Sequence, residues 1–191
     1  NTNSQWIAEE LSSLGINHFR QTTIGDNLNR ISNLVFEISQ RSCLLITTGG
    51  LGPTPDDLTT AAIAKAFNDS LFERENIWNG IKQKTNKKGS DLENSSLKKQ
   101  CFFPKSAYIM NNPRGTAPGM IWKPLKEFTI MTFPGVPEEL KEMWRESGRK
   151  YINKNFSEGK IFFSNSLKFA GIGESSITEK IDGLLKLDNP T

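Results

Sequence analysis

The sequence TTGGLGPTPDDLT, from Thr47 to Thr59, has the composition of a loop that joins a strand to a helix. It overlaps the short apolar run Cys43–Thr48 and leads into a helical pattern from Leu58 to Phe67. Glycine lets a backbone turn tightly and lets its amides approach a ligand, while proline stiffens a turn. Because ligands of open α/β sheets bind at the carboxyl ends of the strands, the loop predicts an α/β fold with a ligand site at this position.

Strand and helix patterns alternate on both sides of this loop. The sequence predicts helices at residues 1–14, at Leu28–Gln40 and from Pro137 onward, and strands at Ile16–Ile24, Tyr108–Met110, Met120–Trp122 and Phe128–Phe133. Parallel strands that are covered on both faces read as continuous apolar runs. We therefore expect a three-layer α/β/α sandwich with a mostly parallel sheet, in which Cys43–Thr48 and Phe128–Phe133 are central strands.

The chain is expected to comprise one domain and the start of another. Residues 1–158 are assigned to the sandwich, and the polar, Lys-rich stretch 73–100 within it predicts two helices around a break at 87–89. A strand at Ile161–Phe169 and a helix at Ser175–Leu187 predict the start of a second, small domain over residues 159–191. Because a core helix follows Asn1 at once, we expect a fragment of a longer protein.

Composition excludes several classes of function. The chain has 24 Lys and Arg against 21 Asp and Glu, and its net charge of +3 is too small to indicate nucleic-acid binding. Cys43, Cys101 and His18 are too few for a disulfide framework or a Cys/His zinc cluster. No apolar run approaches the ~18 residues of a membrane span. We expect a cytoplasmic homodimer that binds a small molecule, and catalysis by carboxylates, backbone amides or a metal ion.

The glycine loop also carries the features of a phosphate site. Gly49, Gly50 and Gly52 can bring amides close to a ligand, and the dipole of the following helix favours an anion. Asp56 and Asp57 stand at the start of that helix, where either could cap free amides or serve a ligand. The Gly-Lys-Ser/Thr ending of a Walker loop is missing. A tight turn with a capping Asp remains the alternative to a phosphate site.

Several stretches together resemble one protein family. TTGGLGPTPDDLT resembles the signature loop of the MoaB/Mog-like molybdopterin-binding domain, and its Leu51 resembles the CinA branch of that family. Further stretches resemble CinA proteins: NTNSQWIAEELSSLGI (1–16), TIGDN (23–27), RGTAPGM (114–120), FPGVPEELKEM (133–143) and, at the opening of a KH-like domain, FAGIGESSI (169–177). The resemblance implies the MoaB/Mog-like fold and a first strand that would precede Asn1. It also implies that the full-length protein can carry a further domain with nicotinamide mononucleotide amidase activity.

In activity, the resemblance implies a metal-dependent ADP-ribose pyrophosphatase that releases AMP and ribose 5-phosphate. The family's important carboxylates correspond to Asp26 and Asp57, which are the implied catalytic residues and the implied ligands of a divalent metal ion. Lys98-Lys99-Gln100 resembles a Lys-Gln pair that lies near the substrate. The residues implied to bind substrate are Gly49, Gly50, Leu51, Gly52, Pro53, Thr54, Asp56, Thr59, Gly115, Thr116, Ala117, Gly119, Pro134, Gly135, Pro137 and Glu138.

Two other functions stay open at this point. The chain could be a non-catalytic module that binds molybdopterin or a nucleotide and orders a partner domain. It could also transfer adenylate to molybdopterin, as in the wider superfamily, although Leu51 and the GTAPG loop argue against that activity. Molybdopterin is therefore an alternative ligand to the nucleotide.

Overall fold

The computed structural model of the chain describes residues 2–85, 96–157 and 168–185. Its helices are α1 (Thr2–Ser13), α2 (Leu28–Ser39), α3 (Thr59–Ala66), α4 (Glu75–Thr85), α5 (Pro137–Met143), α6 (Arg149–Phe156) and α7 (Glu174–Leu185). A 3₁₀ helix spans Ser96–Cys101, and a π-helical turn at Trp144–Gly148 joins α5 to α6. The strands are β1 (Leu44–Thr48), β2 (Leu71–Glu73), β3 (Phe102–Pro104), β4 (Tyr108–Met110), β5 (Gly119–Leu125) and β6 (Phe128–Phe133).

Four strands form the main sheet in the order β1-β6-β5-β4. The pair β1 and β6 is parallel, with Leu44 opposite Thr129 and Thr48 opposite Phe133, and this pairing confirms the predicted partnership of the two apolar runs. The other two pairs, β5 with β6 and β4 with β5, are antiparallel. The sheet is therefore mixed rather than mostly parallel.

The lengths of the connections explain the mixed sheet. Only Lys126 and Glu127 separate β5 from β6, and a parallel connection needs a dozen or more residues. The stretch 111–118 between β4 and β5 is also too short for a crossover. In addition, β1 lies at one edge of the described sheet with half-buried side chains, so β6 is a central strand and β1 is not.

Helices cover both faces of the sheet, as the sequence predicts. Met131 and Phe133 of β6 pack into a buried cluster with residues of α1, α5 and α6. Phe128 and Ile130 of the same strand pack into a second cluster with residues of α2 and α3. Because successive side chains of a strand point to opposite faces, the fully buried strand β6 packs against the helices on both sides of the sheet. The three-layer α/β/α sandwich is confirmed.

The predicted strand at Ile16–Ile24 is wrong. Residues 16–25 have no regular structure, and Phe19 within them is 91% exposed. A strand persists where a neighbouring backbone satisfies its amides and carbonyls. Among the described residues the sheet ends at β1, so this segment has no neighbour in the ladder.

The chain divides into two compact units, Asn1–Ile161 and Phe162–Thr191. In the second unit, α7 agrees with the helix predicted at Ser175–Leu187 as far as Leu185. The predicted break at 87–89 and most of the predicted strand Ile161–Phe169 lie outside the described residues. None of the described helices is long and apolar enough to cross a membrane.

Candidate functional site

The glycine loop turns back sharply at the carboxyl end of β1. Gly49 and Gly50 have φ angles of 91° and 68°, a left-handed conformation that favours glycine. The amide of Gly49 donates to the carbonyl of Phe133 at 2.9 Å, which ties the loop to the end of β6. Thr59 closes the loop from the other side, because its hydroxyl donates to the carbonyl of Gly49 at 2.9 Å and its amide donates to that of Gly50 at 3.1 Å.

Asp57 stabilises the loop rather than the helix that follows it. Its Oδ2 accepts hydrogen bonds from the amide of Thr54 at 2.9 Å and from the hydroxyl of Thr54 at 2.6 Å. A Cβ atom on Gly52 would lie 2.5 Å from the same Oδ2, so the carboxylate lies directly against the glycine backbone. The N-cap of α3 is Leu58, and no side chain caps this helix, so the alternative of a helix-capping Asp56 or Asp57 does not hold.

These contacts keep the Asp57 carboxyl ionised. Burial alone would raise the pKa of Asp57, but three hydrogen bonds oppose it: two from Thr54 and one from the amide of Gly52. Together with the positive charge of Lys99, they hold the pKa of Asp57 below its ordinary value of 3.8. The carboxylate is therefore anionic throughout the physiological range of pH.

A cavity of about 320 Å³ opens between the glycine loop, the start of α3 and the β2–β3 pair. Its volume lies at the lower end of the range of about 300–1,000 Å³ that is typical of small-molecule sites. The lining residues are Gly50, Leu51, Gly52, Asp57, Thr60, Ala61, Leu71, Lys99, Gln100, Phe102, Phe103 and Pro118. The wall is thus largely apolar, and its polar groups include the carboxylate of Asp57, the ammonium group of Lys99 and the amide of Gln100.

The two carboxylates implied by the resemblance lie in different surroundings. Asp57 lines the cavity, whereas Asp26 is exposed and is not part of its wall. Asp26 directly precedes Asn27, which caps α2 by accepting a hydrogen bond from the amide of Arg30 at 3.0 Å. Within residues 2–85, 96–157 and 168–185 no three His, Cys, Asp or Glu side chains form a group that could hold a metal ion.

Lys99 and Gln100 connect the 3₁₀ helix to the glycine loop. Lys99 Nζ donates to the carbonyl of Thr54 at 2.7 Å, and Gln100 Nε2 donates to the carbonyl of Leu51 at 3.1 Å. The sequence analysis does not include either residue among the predicted substrate-binding residues, although the Lys-Gln resemblance indicates a position near the substrate. Leu51 and Gln100 are 49 positions apart in the sequence, and no periodic pattern indicates a contact over that separation.

Residues of β2, β3 and α3 also complete the cavity without having been predicted. Leu71, Phe102 and Phe103 belong to two three-residue strands, which are too short to give a clear alternating pattern. The adjacent Cys101 is fully buried, and burial raises the pKa of its thiol to about 11. The thiol is therefore a packing group and not a nucleophile.

The GTAPG loop is organised by one buried side chain, Asn112. Its Oδ1 accepts from the amides of Arg114 at 3.1 Å and Gly115 at 2.8 Å, and its Nδ2 donates to the carbonyl of Ala117 at 2.9 Å. The same Nδ2 lies 2.7 Å from Glu139 Oε2 and donates to it, which fastens this loop to α5. Sequence analysis does not single out Asn112, because an Asn before a glycine turn is a common pattern.

None of the predicted residues of the two later loops is part of the cavity wall, although Gly135 lies against the glycine loop. A Cβ on Gly135 would lie 3.5 Å from the Cα of Gly49, so the two glycine turns are in contact. Pro137 begins α5, and Glu138 pairs with Lys141 at 3.5 Å in a solvent-exposed ion pair. Pro118 is the residue of the GTAPG loop that reaches the wall. Of the residues predicted in the glycine loop, Gly50, Leu51, Gly52 and Asp57 line the wall, whereas Gly49, Pro53, Thr54, Asp56 and Thr59 do not. Gly115, Thr116, Ala117, Gly119 and Pro134 of the later loops do not line it either.

Comparisons with known proteins identify the same family as the sequence motifs. A family model described as a probable molybdopterin binding domain matches residues 1–154. The CinA-like protein of Prochlorococcus marinus strain MIT 9515 is 71% identical over all 191 residues, and the one of strain MIT 9313 is 49% identical over the same length. The chain spans 44% of each of these relatives. The crystal structure of CinA from Thermoplasma acidophilum is 31% identical with a TM-score of 0.72, covering 78% of this chain and 86% of that one.

Proposed function

Because the chain belongs to the CinA family and carries its molybdopterin-binding domain, we propose that it is a nucleotide-binding domain that hydrolyses ADP-ribose. The products would be AMP and ribose 5-phosphate. The observation that carries the proposal is the cavity at the carboxyl end of β1, where an ionised carboxylate, a lysine and a glycine turn meet an apolar wall. A nucleotide has the matching parts, since its base is flat and apolar on its faces and its diphosphate is anionic.

The polar side of the cavity suits a diphosphate. Lys99 lies on the wall and supplies a positive charge near Asp57, and Gly50 and Gly52 of the glycine turn line the same wall. The amide of Gly52 is less available to a phosphate than the sequence suggests, because it donates a hydrogen bond to Asp57. Asp57 would act on the reacting diphosphate through its negative charge, by orienting an attacking water molecule.

A divalent metal ion fits this proposal only when the substrate shares in holding it. The described residues contain no group of three metal-binding side chains, so the protein alone would not complete a coordination shell. Mg²⁺ is often bound by one or two carboxylates together with substrate phosphates. Asp57, with its low pKa, would be one ligand, and the exposed Asp26 would be the other. When bound, the ion would neutralise charge on the diphosphate.

A second candidate function follows from the bonds of Asp57. Its carboxylate already accepts hydrogen bonds from Thr54 and Gly52, as it would in a loop that only holds its shape. On this account the domain binds a nucleotide or molybdopterin without turnover and orders a partner domain. The two candidates share the cavity and differ in whether a bond of the ligand is broken.

The experiment that separates them is an assay of the whole protein with ADP-ribose and a panel of divalent metal ions. Release of AMP and ribose 5-phosphate in equal amounts, abolished by a chelator, would support the pyrophosphatase. Binding of ADP-ribose by calorimetry with no release of products would support the binding module. Absence of both binding and turnover would contradict the nucleotide assignment.

A further inference from the structure

The carboxylate of Glu139 lies directly against the GTAPG loop. Its Oε2 accepts a hydrogen bond from Asn112 Nδ2 at 2.7 Å, and a Cβ atom on Gly115 would lie 2.5 Å from the same oxygen. Gly115 does not have a positive φ angle, so this position requires glycine for the close approach of the carboxylate and not for a left-handed turn. Helix α5 and the loop are therefore in direct contact through Glu139.

This contact reaches the cavity wall through the side chain of Asn112. Asn112 is 3% exposed, and its side chain uses its full bonding capacity, because Oδ1 accepts from two amides of the loop and Nδ2 donates to Glu139 and to the carbonyl of Ala117. Ala117 directly precedes Pro118, which lines the cavity. Loss of the acceptor on Glu139 would leave a buried donor of Asn112 unpaired, and such a group is costly. The position of the loop at the wall therefore depends on Glu139.

Lys84 holds the same loop from the side of α4. Its ammonium group donates to the carbonyl of Gly115 at 2.9 Å and to the carbonyl of Asn112. The loop thus has a cation of α4 on its backbone and an anion of α5 on its buried asparagine. None of these hydrogen bonds involves Asp57, so a loosened loop would alter the wall at Pro118 and leave the proposed reacting group in place.

We propose that Glu139 is a positioning residue, which acts through Asn112 to hold the GTAPG loop and Pro118 at the edge of the nucleotide cavity. The inference rests on the proposed nucleotide binding and adds a residue that affects affinity without lining the cavity itself. The neighbouring Glu138, which the resemblance assigned to the substrate, forms an exposed ion pair with Lys141 instead. Because Asn112 needs only an acceptor, a neutral glutamine in place of Glu139 should serve equally well.

The test measures kcat and KM for ADP-ribose with the whole protein. Glu139→Leu, which removes the acceptor and keeps a side chain of similar size, is expected to raise KM about 5-fold or more and to leave kcat within about 2-fold. Glu139→Gln keeps an acceptor for Asn112 and is expected to stay within about 2-fold of the wild type in both constants. Glu146→Leu, at an exposed glutamate of the π-helical turn after α5, is the matched control and should change neither constant.

An unchanged KM in Glu139→Leu, or an equal loss of affinity in Glu139→Leu and Glu139→Gln, would overturn the inference. If the protein binds ADP-ribose without hydrolysing it, the dissociation constant from calorimetry replaces KM and the same comparison applies. The pyrophosphatase proposal then fails, while the role of Glu139 is still decided by the two variants.

Hydrogen exchange of residues 112–118 tests the placement of the loop without any substrate. The amides of Arg114 and Gly115 are expected to exchange about 10-fold faster in Glu139→Leu and at nearly the wild-type rate in Glu139→Gln, because Asn112 Oδ1 accepts from both. Lys84→Met changes an exposed side chain and should speed the same exchange, so it serves if Glu139→Leu does not fold. Exchange at the wild-type rate in the folded variants would overturn the inference, whereas absence of ADP-ribose binding by the wild type would contradict only the proposed function.

Discussion

Asp57 is the residue on which the proposed site depends most, because it lies both on the cavity wall and in the hydrogen bonds of the glycine loop. Because the pKa of Asp57 is lowered in the folded protein, the stability of the fold depends on pH. The folded state favours the ionised carboxyl, so the unfolded state takes up the proton first as the pH falls. The stabilisation is therefore present above the ordinary pKa of 3.8 and is lost as the pH falls through the lower pKa of the folded protein.

The first prediction concerns this pH dependence. Asp57→Asn is expected to lower the free energy of unfolding by about 1 kcal/mol at pH 7, because it replaces charge-assisted hydrogen bonds from Thr54 and Gly52 with neutral ones. The difference between wild type and variant should shrink as the pH falls below 3.8. Urea denaturation at pH 7 and at pH 3 measures it, with Asp56→Asn as an exposed neighbour expected to change little. A difference independent of pH would contradict the role given to the carboxylate.

At the scale of elements, the pairing of β5 with β6 depends on the absence of one side chain. A Cβ on Gly119 would lie 2.1 Å from the carbonyl oxygen of Thr132, which is backbone that cannot move aside. Gly80 in α4 has nothing within 4 Å of the same position. Substitution by alanine is therefore expected to have opposite effects on the stability of the protein at the two glycines.

Gly119→Ala is expected to destabilise the protein by about 3 kcal/mol or more, because the strands must separate to admit the methyl group. Gly80→Ala should stabilise it by up to about 1 kcal/mol, since alanine is the better helix former and meets no neighbour. Midpoints and slopes of urea denaturation measure both variants. Equal destabilisation by the two substitutions would show that the close approach of β5 to Thr132 is not what requires glycine.

The elements also show what the sequence could and could not predict. Phe128–Phe133 is a strand with the predicted bounds, because both of its faces are buried and apolarity alone reveals it. Strand direction was missed because it depends on the length of the link at Lys126 and Glu127 and not on the apolar pattern. Ile16–Ile24 has the composition of a strand, but a strand also needs a neighbour, and a local pattern does not report one. For the same reason the glycine loop was predicted from its own residues, while Gln100, 49 positions away, was not.

At the scale of the whole molecule, the buried core belongs to the first of the two units. All residues of the three buried clusters lie within residues 7–152, and the second unit, which begins at Phe162, contributes none of them among the described residues. The core should therefore fold without the second unit.

A chain that ends at Ile161 is accordingly expected to unfold cooperatively, with a Tm within about 3 °C of that of the 191-residue chain. For a domain of this size such a change corresponds to about 1 kcal/mol. Calorimetry on the two chains measures it. Loss of the cooperative transition in the shorter chain would mean that the second unit is part of the core.

The central claim is that Asp57 lies at the reacting diphosphate, and the rate of ADP-ribose hydrolysis by the whole protein tests it most directly. Asp57→Asn is expected to lower the rate at saturating metal by roughly 100-fold or more, a cost on the order of 3 kcal/mol in the transition state. Asp56→Asn, which is exposed and outside the cavity wall, should lose far less, and thermal melts show whether each variant is folded. If Asp57→Asn hydrolyses ADP-ribose at the wild-type rate, the assignment of this cavity to the pyrophosphatase reaction is contradicted.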